Sequence, residues 1–101
     1  MDYNILVRVR TTEVFSDWIN SLKDHVGRAH IQMRIDRLAH GNPGQNRNLS
    51  AGVSELKVDI GPGYRVYYTE RGGAVIILLA GGDKSTQQKD IEIALALARN
   101  L

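Results

Sequence analysis

The sequence predicts an α+β fold, and three observations carry the prediction. Apolar residues recur at helical spacing through Phe15, Trp18, Ile19 and Leu22 and again through Ile31, Ile35, Leu38 and Ala39; from Leu56 they alternate with polar ones; helical spacing returns at Ile91, Ala94, Leu95 and Ala98. The 101 residues, 43% hydrophobic and 24% charged, suit a single domain spanning 1–101. A domain of this size buries roughly two-thirds of the surface its unfolded chain exposes. Little volume is left for a deep cavity or a cofactor cradle, so chemistry is expected on the surface.

Each element has its own signal. Residues 3–10 read as a strand with Ile5, Val7 and Val9 on one face and Arg8 and Arg10 on the other. Thr11-Thr12-Glu13 supplies an N-cap hydroxyl and a first-turn acid for a helix that stops near Asp24. A second helix is expected from Val26 to His40 with Gly41 as terminator, giving an αα-hairpin. Residues 41–52 are dense in Gly, Asn, Pro and Ser and read as a loop. Leu56, Val58 and Ile60, then Tyr64, Val66 and Tyr68, flank the turn Gly61-Pro62-Gly63 and predict a β-hairpin. Ala74 to Ala80 is apolar without alternation, as in a central strand. Ser85 and Gln88 form a capping-box pattern ahead of a C-terminal helix. The expected order is β-α-α-β-β-β-α: a curved, mainly antiparallel sheet with helices on one face and the other face open.

Composition excludes several functions. There is no cysteine, hence no disulfide, thiolate metal site or cysteine nucleophile. The longest apolar run, seven residues, is far short of a membrane span, and the N-terminus has no signal-peptide pattern, so a cytoplasmic protein without a membrane partner is expected. His25, His30 and His40 do not fall on one helix face with carboxylates at ligand spacing. They are expected on the surface, with no metal and no cofactor. No Gly-rich phosphate loop is followed by Lys-Ser/Thr. Asp83 is expected to cap a helix and Asp90 to lie on a solvated face.

Thirteen Lys and Arg against eleven Asp and Glu leave a net charge of +2, so placement matters more than number. If Leu56, Val58 and Ile60 pack under the helices, strict alternation sends Lys57 to the open face, and the partner strand sends Arg65, Tyr67 and Thr69 beside it. Lys84 falls where the central strand gives way to a helix N-terminus. Two or three cations with an aromatic are what a phosphodiester and its base need. A solvated sheet face and cross-strand packing of Tyr67 explain the same pattern.

Several ordered stretches narrow the choice. Trp18-Ile19 through Leu22-Lys23-Asp24, Arg34-Ile35-Asp36-Arg37-Leu38 with Gly41-Asn42, Gly52-Val53-Ser54-Glu55-Leu56, Gly61 to Tyr68, and Leu78 to Gln87 together resemble the HigB-like, phage-derived "addiction module killer protein" branch of the RelE/ParE toxin superfamily, from about Thr12 to Arg99. The resemblance implies a RelE-like fold and the toxin of a type II toxin–antitoxin pair, held by a cognate helix-turn-helix antitoxin and reaching operator DNA only through that complex. It implies a metal-independent endoribonuclease acting on mRNA at the ribosome, in which the 2′-hydroxyl attacks the adjacent phosphorus. Lys57, Arg65 and Lys84 match the family's phosphate-serving positions; Tyr67 stands in as a substitute acid, and Arg8 and Arg10 complete the expected RNA-binding set. Two departures matter. Glu55 stands where RelE-type enzymes carry a second base, and no aromatic or His follows Tyr68, which leaves Asp90 the nearest titratable residue by position. A non-enzymatic ParE-like gyrase inhibitor, and a degenerate module limited to antitoxin binding and operator co-repression, are the alternatives.

Overall fold

The computed structural model describes residues 7–101; the part of the expected first strand from Tyr3 to Leu6 lies outside them. The elements are β1 (Arg8–Thr11), α1 (Glu13–Ser21), α2 (His25–Ala39), β2 (Asn46–Asn48), β3 (Val53–Val58), β4 (Tyr64–Arg71), β5 (Val75–Gly82), a 3₁₀ turn (Lys84–Thr86) and α3 (Gln87–Arg99). The fold is α+β, with one five-stranded sheet ordered β1-β5-β4-β3-β2. Only β1 against β5 is parallel; the other pairs are antiparallel.

One strand is new relative to the sequence reading. Residues 41–52 are not all loop: Asn46, Arg47 and Asn48 pair with Leu56, Glu55 and Ser54 as an edge strand. The strand is three polar residues long, so neither apolar alternation nor β-branched content announces it. Its turn places Ala51 at φ 54° and Gly52 at φ 76°, the left-handed conformations of a tight hairpin, and Ala is an unusual choice there.

The first helix has the N-cap that Thr11-Thr12-Glu13 predicts, and the second begins at His25, one residue before the expected Val26. The Thr12 hydroxyl accepts from Phe15 N–H at 3.1 Å and donates to Leu79 O at 2.6 Å, which caps α1 and ties it to β5. Asp24 caps α2 by accepting from Gly27 N–H at 3.0 Å and also accepts from the Tyr64 hydroxyl at 2.7 Å. A Cβ on Gly27 would stand 2.5 Å from both Asp24 and Tyr64, so this junction requires glycine. The capping box expected at Ser85 and Gln88 is replaced by another device. Asp83 accepts from Ser85 N–H at 2.8 Å and starts the 3₁₀ turn, and α3 begins only at Gln87.

Helices cover both faces of the sheet, which corrects the expected open face. Phe15, Ile19, Ile31 and Leu38 of α1 and α2 pack on Leu56, Val58, Tyr64, Val66, Tyr68, Ile76 and Leu78. On the reverse side Ala94 and Ala98 of α3 pack on Val53, Tyr67, Leu79 and Ala80. The unbroken apolar run of β5 is the sequence-level sign of this double cover. A β-bulge adjusts the facing of β5: Tyr67 pairs with Ala80 and Tyr68 with Leu78, so Leu79 is the extra residue. Beyond the bulge a Cβ on Gly81 would meet Trp18 on the α1 side, and one on Gly82 would meet Asp90 of α3.

Candidate functional site

On the α3 side, cross-strand register lines up two adjacent rows of residues. One runs Gly82, Arg65, Lys57 across β5, β4 and β3, with the Lys57 N–H donating to Gln45 O at 3.0 Å beyond it. The next runs Ala80, Tyr67, Glu55, Arg47. The parity argument therefore places Lys57, Arg65 and Tyr67 on one face correctly.

The first row is cationic. Lys57 and Arg65 are direct cross-strand partners, an arrangement that sets their Cβ atoms about 5 Å apart and gives two side chains of like charge neighbouring positions. Arg65 is only 6% exposed; its Nη1 donates to Gly63 O at 2.6 Å, and its Nε is buried without a hydrogen-bond partner. Among the described residues none of Arg65, Lys57 and Lys84 makes an ion pair. Gly63 sits under both Arg65 and Lys84: a Cβ there would lie 3.1 Å from Arg65 Nη1 and 3.8 Å from Lys84 Cβ. Lys84 is exposed and opens the 3₁₀ turn instead of a helix N-terminus.

The second row is charge-compensated. Glu55, 3% exposed, accepts from Arg47 Nε at 2.8 Å and Gln87 Nε2 at 2.9 Å. Burial works to raise this carboxyl, but the hydrogen bonds of Arg47 and Gln87 outweigh it and hold the group below its ordinary value. Tyr67 is fully buried, with its hydroxyl unpartnered. It presents no ring face on which a base could stack, a correction to the sequence reading. Burial first, then the Glu55 carboxylate, push its hydroxyl far up.

Gly82, level with Arg65, lies under the Asp90 carboxylate, which accepts from the Thr86 hydroxyl at 2.6 Å. Asp90 is half-buried, not on a solvated face, and burial raises its carboxyl, with Asp83 adding to the effect against the Thr86 hydrogen bond. Arg8 and Arg10 do not join this group. They pair with Val75 and Ile77, five or more residues back along β5 from Gly82, or about 17 Å away along the strand. His25 and His40 are exposed and His30 is half-buried; among the described residues no His, Asp and Glu side chains gather as a metal-binding set.

The α3 side of the sheet thus carries a cation row, Lys57 and Arg65, with Lys84 close by on the 3₁₀ turn. Residues 17–100 match the family described as Phage derived protein Gp49-like (DUF891). The chain is also 45% identical over 95 residues to an uncharacterized protein of Haemophilus influenzae, covering 94% of this chain and 96% of that relative. The chain belongs to the Gp49-like family. This is a RelE-like toxin family, generally supplying the toxins of toxin–antitoxin modules, so an antitoxin partner is implied in general. No helix among the described residues of this Gp49-like protein is long and apolar enough to cross a membrane.

Three residues that shape this side of the sheet carry no clear signal in the sequence. Arg47 lies in a stretch whose Gly, Asn, Pro and Ser read as loop, and Gln87 lies beside the Gln88 of the capping-box pattern. Arg34 donates from α2 to Lys57 O at 2.7 Å, Pro43 O at 3.0 Å and Gln45 O at 3.1 Å. It thus ties the cation row's backbone to the segment that leads into β2. Carbonyl acceptors carry no residue-type signal, so sequence spacing could not reveal these bonds.

Proposed function

We propose that this Gp49-like protein is a HigB-like toxin that cleaves mRNA on the ribosome without a metal and is neutralised by a helix-turn-helix antitoxin. One observation carries the reading: a buried guanidinium with an unpartnered Nε–H sits directly opposite a lysine on the neighbouring strand. A buried donor without a partner costs about 1–3 kcal/mol, and like charges directly opposite each other on neighbouring strands are destabilising as well. An anion between Arg65 and Lys57 removes both costs, and the phosphate geometry suits an arginine fork beside a point charge.

In the proposed reaction the 2′-oxygen bonds to the adjacent phosphorus and the P–O5′ bond breaks. The products are a 2′,3′-cyclic phosphate and a 5′-hydroxyl. Arg65 and Lys84 stabilise charge on the nonbridging oxygens, worth roughly 2–4 kcal/mol per contact made in the transition state. The 2′-hydroxyl proton passes to solvent water, and the Lys57 ammonium steadies the charge that develops on the attacking oxygen. Asp90, whose carboxyl is pushed up and lies over the Gly82 that pairs with Arg65, supplies the proton to the leaving 5′-oxygen in place of the buried Tyr67.

The test is expression without antitoxin, with mRNA 5′ ends mapped by primer extension while translation runs and while it is blocked. New ends confined to translated frames support cleavage on the ribosome. Growth arrest with intact mRNA contradicts it, and accumulating DNA breaks in that case indicate a ParE-like gyrase inhibitor.

A further inference from the structure

The carboxylate of Glu55 is out of place next to a phosphate site. It lies two residues from Lys57 on the same face of β3, about 7 Å along the strand. At that separation and an effective dielectric of about 20, an uncompensated carboxylate weakens the binding of one phosphate on the order of fiftyfold. Yet Glu55 is buried and ionised, so something must neutralise it.

Arg47 does so from an adjacent strand. Its Nε and Nη2 reach the two Glu55 oxygens at 2.8 and 3.5 Å, and Gln87 adds a third donor at 2.9 Å from the start of α3. The Arg47 side chain is 57% exposed while that of Glu55 is 4% exposed, so the pair has one wet end and one dry end. An exposed ion pair contributes little, but losing the partner of a buried charge is costly. Arg47 also lines, with Gln45, Asn46, Glu55 and Lys57, a surface depression of about 110 Å³ directly beside the cation row.

We infer that Arg47 is a positioning residue of the RNA site: it cancels the Glu55 charge, so that Lys57 and Arg65 present a net positive surface to the phosphate. This rests on the reading of the Lys57–Arg65 row as an RNA-phosphate site. It also explains why a RelE-like chain tolerates an acid in that row's neighbour. The edge strand β2 exists to bring the compensating guanidinium across from Glu55.

The test measures binding of a 2′-deoxy-substituted, uncleavable RNA oligonucleotide at low and high salt. The variants are Arg47→Ala, Arg47→Lys, Glu55→Gln and Arg47→Ala combined with Glu55→Gln, each checked by thermal melting. Arg47→Ala is expected to bind about tenfold more weakly at low salt, with the deficit shrinking at high salt, and Arg47→Lys to stay within about threefold of wild type. The decisive variant is the double one, in which removing the carboxylate restores binding to within about threefold of wild type. If the double variant binds as weakly as Arg47→Ala, Arg47 does not act through Glu55 and the inference is wrong. If Arg47→Ala binds like wild type, it is equally wrong. Wild-type protein that binds no RNA at all overturns the endonuclease reading itself.

Discussion

The two faces of the sheet solve different problems. The α1–α2 face is sealed: its buried side chains are apolar or tyrosine, and the Tyr64 hydroxyl is satisfied by Asp24. The α3 face is covered by a single helix whose small residues, Ala94 and Ala98, sit over Tyr67, Leu79 and Ala80. Toward the 3₁₀ turn the cover becomes polar, and there Arg65, Glu55 and Tyr67 are buried with two of their polar atoms unpartnered. Native interiors rarely leave such groups orphaned, and strain, a catalytic role or a bound water or ion accounts for the exceptions. One face is closed by apolar contact, and the other keeps buried polar groups without partners.

The largest effect should follow from opening the sealed face. Leu56, fully buried under α1 and α2, should lose about 2–5 kcal/mol of unfolding free energy on Leu56→Ala, read as a shifted urea midpoint. The opposite pattern is expected one residue further along the strand. Lys57→Ala should reduce mRNA cleavage roughly thirty- to a thousandfold, about 2–4 kcal/mol, while leaving the urea midpoint unchanged or slightly higher, because it removes a like charge opposite Arg65. If Lys57→Ala instead unfolds the protein, the division of labour between the faces is wrong.

Acid should act on both faces. Glu55 on the α3 side and Asp24 on the hairpin side both have carboxyls held low, so their stabilisation is complete above the ordinary carboxylate pKa and is lost as pH falls through their folded values. Asp90 has the opposite sign, since its carboxyl is raised and its charged form is disfavoured by folding. Urea midpoints taken downward from pH 6 should therefore fall less for Glu55→Gln than for wild type. The smallest effect lies outside both faces. Ala51→Gly, relieving a left-handed alanine in the β2–β3 turn, should raise stability by about 0.5 kcal/mol.

Most of the sealed face was legible in the sequence, because its logic is period and parity. Phe15, Ile19, Ile31 and Leu38 announce their helices by spacing, and Lys57 and Arg65 follow from alternation against Leu56 and Val66. The α3 face was legible only in part. Its cover was implied by the unalternating run of β5, but the helix that supplies it was placed on the wrong side. The β-bulge at Leu79, which turns Gly82 toward Asp90, leaves no mark in residue type. Arg47 pairs with Glu55 through an edge strand of three polar residues, a length at which periodicity carries no information.

The most direct test of the central claim observes the orphaned donor itself. The Arg65 Nε–H resonance should be followed by ¹⁵N NMR while an uncleavable 2′-deoxy-substituted RNA oligonucleotide is titrated into the protein. The account predicts a saturable shift of that resonance and its slowed exchange with solvent, with the shift much reduced in Lys57→Ala. An Arg65 Nε–H signal that stays fixed while RNA binds elsewhere on the protein would contradict it.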